Sequence, residues 1–245
     1  MLKNVMNTKI NYEFIDRDKD TTIVLLHGWG QLISMMKPLG EKFTNYNILY
    51  IDLPGFGKSI EPSYSWDVYE YAKSINIIVK DLELNKIIII GHSFGGRIGL
   101  IYASMYKIDK LVCLASPYCK EITKLSFKTK LYKTLKKIAF LKWISNIMKN
   151  HIGSTDYKNA SEVMRGVLVK SINIDMINDI KKIKCPTLLI WGDKDTAVPI
   201  NRAYELNKLI NNSELIVYKD STHYAYLENL EDVYNNINKF IGGVK

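Results

Sequence analysis

The stretch Lys86-Ile87-Ile88-Ile89-Ile90-Gly91-His92-Ser93-Phe94-Gly95-Gly96 decides the fold. Four successive isoleucines read as a strand buried on both faces. The next five residues are Gly-x-Ser-x-Gly, and a helical run follows. Buried strand, serine turn and helix form the context that the pattern requires, because the five residues alone occur by chance. A very tight strand-to-helix turn holds its serine in a strained backbone with the hydroxyl at the tip. Only glycine at the flanking positions avoids a clash between neighbouring side chains and backbone. The helix start behind it offers free N–H groups and partial positive charge. A glycine-rich turn with an ordinary surface serine is the bland alternative, and the flanks argue against it.

Outward from this stretch, short apolar runs alternate with amphipathic ones. Strands are expected at Thr22–Leu26, Asn47–Ile51, Lys110–Leu114, Pro186–Trp191 and Glu214–Tyr218, and helices at Leu32–Phe43, Val68–Leu82, Gly96–Tyr106, Arg202–Leu209 and Leu230–Phe240. The alternation predicts an α/β fold, a parallel sheet with right-handed crossovers covered by helices on both sides. Period-two patterning over Lys9–Ile15 adds an antiparallel edge strand. From about 118 to 182 there is only helical pattern. A crossover that long is an insertion, and such insertions in enzymes are often lids over a site. The chain therefore divides into a core, 1–117 with 183–245, and a helical cap, 118–182.

A serine hydroxyl is a poor nucleophile without a base, and imidazole is the usual base near neutral pH. Of the four histidines, His92 sits inside the turn and points away from Ser93, His27 ends a strand, and His151 lies in the insertion. His223 follows the Glu214–Tyr218 strand, and loops after parallel strands gather at the ligand-binding edge. It is the expected base. The imidazole needs a carboxylate to fix its tautomer. The loop Gly192-Asp193-Lys194-Asp195 supplies two, and Asp195 is preferred. Asp193 is the one placed to hold the turn, and Asp220 lies too close to His223 in sequence to orient it easily. Oxyanion donors are expected from the backbone N–H of Phe94 and of Trp29 in His27-Gly28-Trp29-Gly30. The Trp29 ring lines the pocket or packs in the core.

Composition sets limits. The chain has 245 residues, 47% hydrophobic and 24% charged, with no apolar run of membrane-spanning length, which is the mix of a globular domain. Three cysteines, Cys113, Cys119 and Cys185, lack metal-ligand spacing, so free thiols in a reducing compartment are expected and no metal site. The first residues carry no secretory signal pattern, which places the protein in the cytoplasm. The net charge is +9, but residues 120–150 hold nine lysines against Glu121. The rest is near neutral, so nucleic acid is not an expected partner. Apolar positions Leu125, Leu131, Leu135, Ile138, Leu141 and Ile144 interleave with these lysines. A lid helix turning its lysines to water explains them most simply. Recruitment of an anionic acyl substrate and contact with an anionic membrane are the rival readings, in that order.

Taken together, Leu25–Gly30, Asp52-Leu53-Pro54-Gly55-Phe56-Gly57-Lys58-Ser59, Gly91–Gly96, Trp191–Asp195 and Thr222-His223 resemble the successive signatures of the α/β-hydrolase superfamily. The branch is the single-domain one with carboxylesterases and the pimeloyl-ester esterase of biotin synthesis. The resemblance is collinear from about 10 to 241. It implies an eight-stranded, mostly parallel sheet, a helical cap after the sixth strand, Asp195 as the acid, and the Asp52–Ser59 loop as a structural turn. It implies a serine hydrolase of carboxylic esters or thioesters that needs no cofactor. Aspartate-nucleophile relatives are excluded because Ser93 holds that position. Carbon–carbon bond hydrolysis, cofactor-free perhydrolysis and a non-catalytic binding role on the same fold are the alternatives. Substrate and oligomeric state lie beyond the sequence.

Overall fold

The computed structural model of the chain describes residues 1–120 and 160–242. The apolar runs pair into one eight-stranded sheet. Its strands are β1 (Leu2–Val5), β2 (Thr8–Ile15), β3 (Thr21–Leu26), β4 (Asn47–Ile51), β5 (Lys86–His92), β6 (Lys110–Leu114), β7 (Thr187–Gly192) and β8 (Ser213–Tyr218), in the order β1-β2-β4-β3-β5-β6-β7-β8. The first two pairings, β1 with β2 and β2 with β4, are antiparallel, and all others are parallel.

Alternate residues of each central strand enter different cores. Ile88, Ile90, Val112 and Leu114 face one side, and Ile87, Ile89, Leu111 and Cys113 face the other. Both faces are dry, which is why these strands lack a polar alternation. The helices are α1 (Lys37–Gly40), α2 (Val68–Asp81), α3 (Phe94–Met105), α4 (Glu162–Asn173), α5 (Ile177–Ile180), α6 (Asn201–Leu209), α7 (Ala225–Glu228) and α8 (Leu230–Gly242). Helices α2 and α3 bury apolar stripes on one face of the sheet, α8 on the other. Asp67 starts α2 with a capping box, accepting from the Tyr69 and Glu70 amides while the Glu70 carboxylate takes its own N–H.

Two elements differ from expectation. The single helix expected over Leu32–Phe43 is a 3-10 turn (Ile33–Met35) followed by the one-turn α1. Pro38 in the first turn of α1 has no N–H to continue a preceding helix, so it restarts one. Strand β1 was not legible. It is a short edge strand turned back through Met6 at φ 54° without a glycine to mark the turn. Of the segment 118–182, residues 118–120 and 160–182 are described. The lysine-rich run beyond Lys120, its interleaved leucines and isoleucines, and His151 lie outside the described residues. Among the described residues, no helix is long and apolar enough to cross a membrane, and no cluster of three metal-ligating side chains occurs. All three cysteines are free.

Candidate active site

Parallel register brings the C-terminal ends of β3, β5, β6, β7 and β8 to one rim. Leu26 pairs with Gly91, and His92 with Leu114. Ser93 leaves β5 at φ 50° and ψ −109°, a conformation that costs a non-glycine residue on the order of 1–3 kcal/mol. Two bonds hold it: its N–H donates to the Leu114 carbonyl at 2.8 Å, and its carbonyl accepts the Arg97 amide at 2.9 Å. The flanking glycines are required by space. A Cβ on Gly91 would stand 2.5 Å from the Gly95 carbonyl oxygen, and one on Gly95 would meet the carbonyls of Leu26 and His27.

His223 stands in the loop after β8. Its Nδ1 is 2.7 Å from Asp195 Oδ2, and the Asp195 side chain is wholly buried. The other oxygen, Oδ1, accepts the amides of Ala197 and Val198 at 2.8 Å each. An ionised carboxylate only accepts, so Nδ1 carries a proton, and in the neutral ring Nε2 is left with its lone pair. The rival acids make no such contact. The Asp193 amide bonds the Tyr218 carbonyl, and Asp220 sits at the surface 3.8 Å from Lys194 Nζ.

Ser93 and His223 line one cavity of about 190 Å³, with Trp29, Phe94, Arg97 and Val198 among its walls. No hydrogen bond joins Ser93 Oγ to the imidazole among the described contacts, and such bonds often tighten only around a substrate. Phe94 opens α3, so its N–H has no helical acceptor. Neither this amide nor that of Trp29 donates to another described protein group. The Trp29 ring is both wall and packing: it meets Phe56 and Phe94 edge-on at 4.9 and 5.3 Å.

Two further histidines shape the rim. His27 is buried, its Nδ1–H donating to the Gly28 carbonyl at 2.8 Å and its Nε2 accepting the Leu53 amide at 2.9 Å. Burial lowers its pKa to about 4, so it is neutral and bolts the end of β3 to the loop after β4. His92 is fully buried, and burial, with His223 alongside, lowers it to about 3. Asp52 anchors its own loop, accepting from Asn11 Nδ2 and from the amides of Ile33 and Lys58. Sequence reading missed Leu168, Ser171 and Ile172 of α4, which also line the cavity. The i, i+4 spacing of Leu168 and Ile172 was the available signal.

Comparison with known proteins gives a consistent result. A family model described as the alpha/beta hydrolase fold matches residues 21–129 and 120–230. The chain is 27% identical to a pimeloyl-[acyl-carrier protein] methyl ester esterase from Wigglesworthia glossinidia brevipalpis, over 84% of this chain and 87% of the relative. It is 25% identical to a 2-hydroxy-6-oxononadienedioate/2-hydroxy-6-oxononatrienedioate hydrolase from Escherichia coli, over 89% of this chain and 85% of that one. An esterase from Exiguobacterium antarcticum superposes with a TM-score of 0.78, covering 99% of both chains at 20% identity, a likeness of fold.

Proposed function

The chain belongs to the α/β-hydrolase family and is a hydrolase of that fold, and from that premise we propose that it is a serine esterase acting through Ser93, His223 and Asp195. Ser93 Oγ attacks the carbonyl of a carboxylic ester or thioester, and His223 Nε2 takes its proton. Asp195 holds the ring and stabilises the imidazolium. The amides of Trp29 and Phe94 receive the oxyanion, and their unspent N–H groups support that role. His223 then protonates the leaving alcohol or thiol. Water, activated by the same nitrogen, opens the acyl-enzyme. The observation that carries the reading is the 2.7 Å His223–Asp195 contact, made by a ring that shares a small cavity with a strained Ser93.

The reading takes a small molecule as substrate, and the free cysteines suit the cytoplasm; most of the expected cap, 118–182, lies outside the described residues. In the test, wild type turns over p-nitrophenyl acetate or butyrate and is labelled by a fluorophosphonate. Ser93→Ala loses labelling and at least about 10³-fold in turnover while keeping its fold. Unchanged turnover in that variant ends the assignment. Cleavage of a carbon–carbon bond in a dioate is the second reading. A relative carries that activity in its name. A dienoic diketone acid assayed beside the ester panel separates the two.

A further inference from the structure

We propose that His92 is a positioning residue, whose Nε2–H donates to the backbone carbonyl of His223 and so fixes the base relative to the nucleophile that follows His92 in the chain. This rests on the reading of His223 as the base. His92 Nε2 lies 3.1 Å from the His223 oxygen, and no other described group donates to that oxygen. The loop's other backbone bonds run within it, to α7, or, from the Ser221 carbonyl, to the Lys194 amide of the loop after β7. The Thr222 amide donates to Glu228, the Tyr224 amide to Thr222 Oγ1, and the Ala225 amide to the Thr222 carbonyl. The His92 contact is thus the one that ties the backbone of the base to the serine turn.

The proton count assigns the tautomer. His92 faces two acceptors, since its Nδ1 lies 3.2 Å from Gln31 Oε1. That oxygen already accepts the Gly28 amide at 2.9 Å, and the Gln31 amide nitrogen faces Tyr224 OH at 3.4 Å, which fixes the orientation of the group. A neutral imidazole has one N–H to give, and a fully buried ring stays neutral. The backbone carbonyl, with no other donor, takes it. Nδ1 is then unprotonated and makes no bond to Gln31 Oε1, so the ring joins the base to the nucleophile, while Gln31 separately links the Gly28 amide to Tyr224 OH. The rival is a space-filling ring, since His223, Tyr224 and Tyr226 pack around it at 4.9, 5.3 and 4.9 Å.

Two variants separate donor from filler. His92→Phe keeps a ring and loses the N–H, while His92→Gln keeps a donor and loses the ring. The expected result is a fall in kcat of about 10- to 100-fold for His92→Phe with KM within about threefold, and recovery of most of it in His92→Gln. The fluorophosphonate labelling rate should follow the same order. The reverse order, Phe near wild type and Gln impaired, overturns the proposal. Histidine ¹⁵N NMR of the wild-type protein decides it without turnover. His92 should carry its proton on Nε2 and stay neutral from pH 5 to 9, and an Nδ1–H tautomer or a titrating ring overturns it. A wild-type protein that neither labels nor turns over esters would fail the esterase reading alone, and the NMR result would still decide the role of His92.

Discussion

The two ends of the sheet carry cavities of opposite character. At the N-terminal ends of the parallel strands, a cavity of about 470 Å³ is lined by Asp16, Asp18, Asp20, Glu83, Lys19 and Lys86 among others. These charged groups are exposed, and the pair between Lys86 and Asp20, 3.4 Å apart, is mostly in water. At the C-terminal ends the cavity is smaller, about 190 Å³, yet Asp195 beside it is buried with both oxygens bonded. Volume does not mark the proposed site. A desolvated carboxylate with both oxygens bonded does, because in low dielectric its hydrogen bonds have an energetic consequence that a solvated charge lacks.

That contrast can be broken most directly at the buried carboxylate. Asp195→Asn should cost about 10⁴-fold in kcat, by analogy with the loss of the tautomer-fixing acid in other triads, while exposed Asp220→Asn stays within a few-fold. Ester turnover at matched protein concentration checks both, and equal losses would show that the loop rather than the carboxylate matters.

Acid should act next. His27 and His92 have pKa values lowered from 6.5 to about 4 and about 3, so below about pH 6.5 the unfolded chain takes up protons that the folded chain refuses. Stability is then lost as pH falls, by up to about 1.4 kcal/mol per pH unit for each ring. Urea midpoints at pH 7, 6 and 5 should fall in that order. A flat profile would mean that both rings keep access to water.

Gly95→Ala should lower stability by about 2 kcal/mol or more, since its Cβ would meet two backbone carbonyls that cannot swing aside. Chemical denaturation reads this. At the other edge, Asp20→Asn should change stability by less than about 0.5 kcal/mol and leave turnover as it was. A large effect there would erase the distinction between the two ends.

Much of this was legible because the signals are local. Both-face burial shows as the unbroken run Ile87–Ile90, and the serine turn shows as glycines at two fixed positions. The helix expected over Leu32–Phe43 failed for a local reason as well, Pro38. Strand β1 was hidden because an exposed edge strand needs no apolar pattern.

By itself, then, the sequence determined an alternating α/β chain, a strained serine between strand and helix, and a histidine and an aspartate on loops after later strands. Tertiary structure brings Asp195, the acid the sequence already preferred over Asp193 and Asp220, against His223, and it alone decided that α4 lends residues to the cavity and that His92 reaches the His223 carbonyl. The reason is physical. Periodicity and turn chemistry act over a few residues. The two decisive contacts join positions 28 and 131 residues apart, and strand order, register and the exclusion of water bring those positions together.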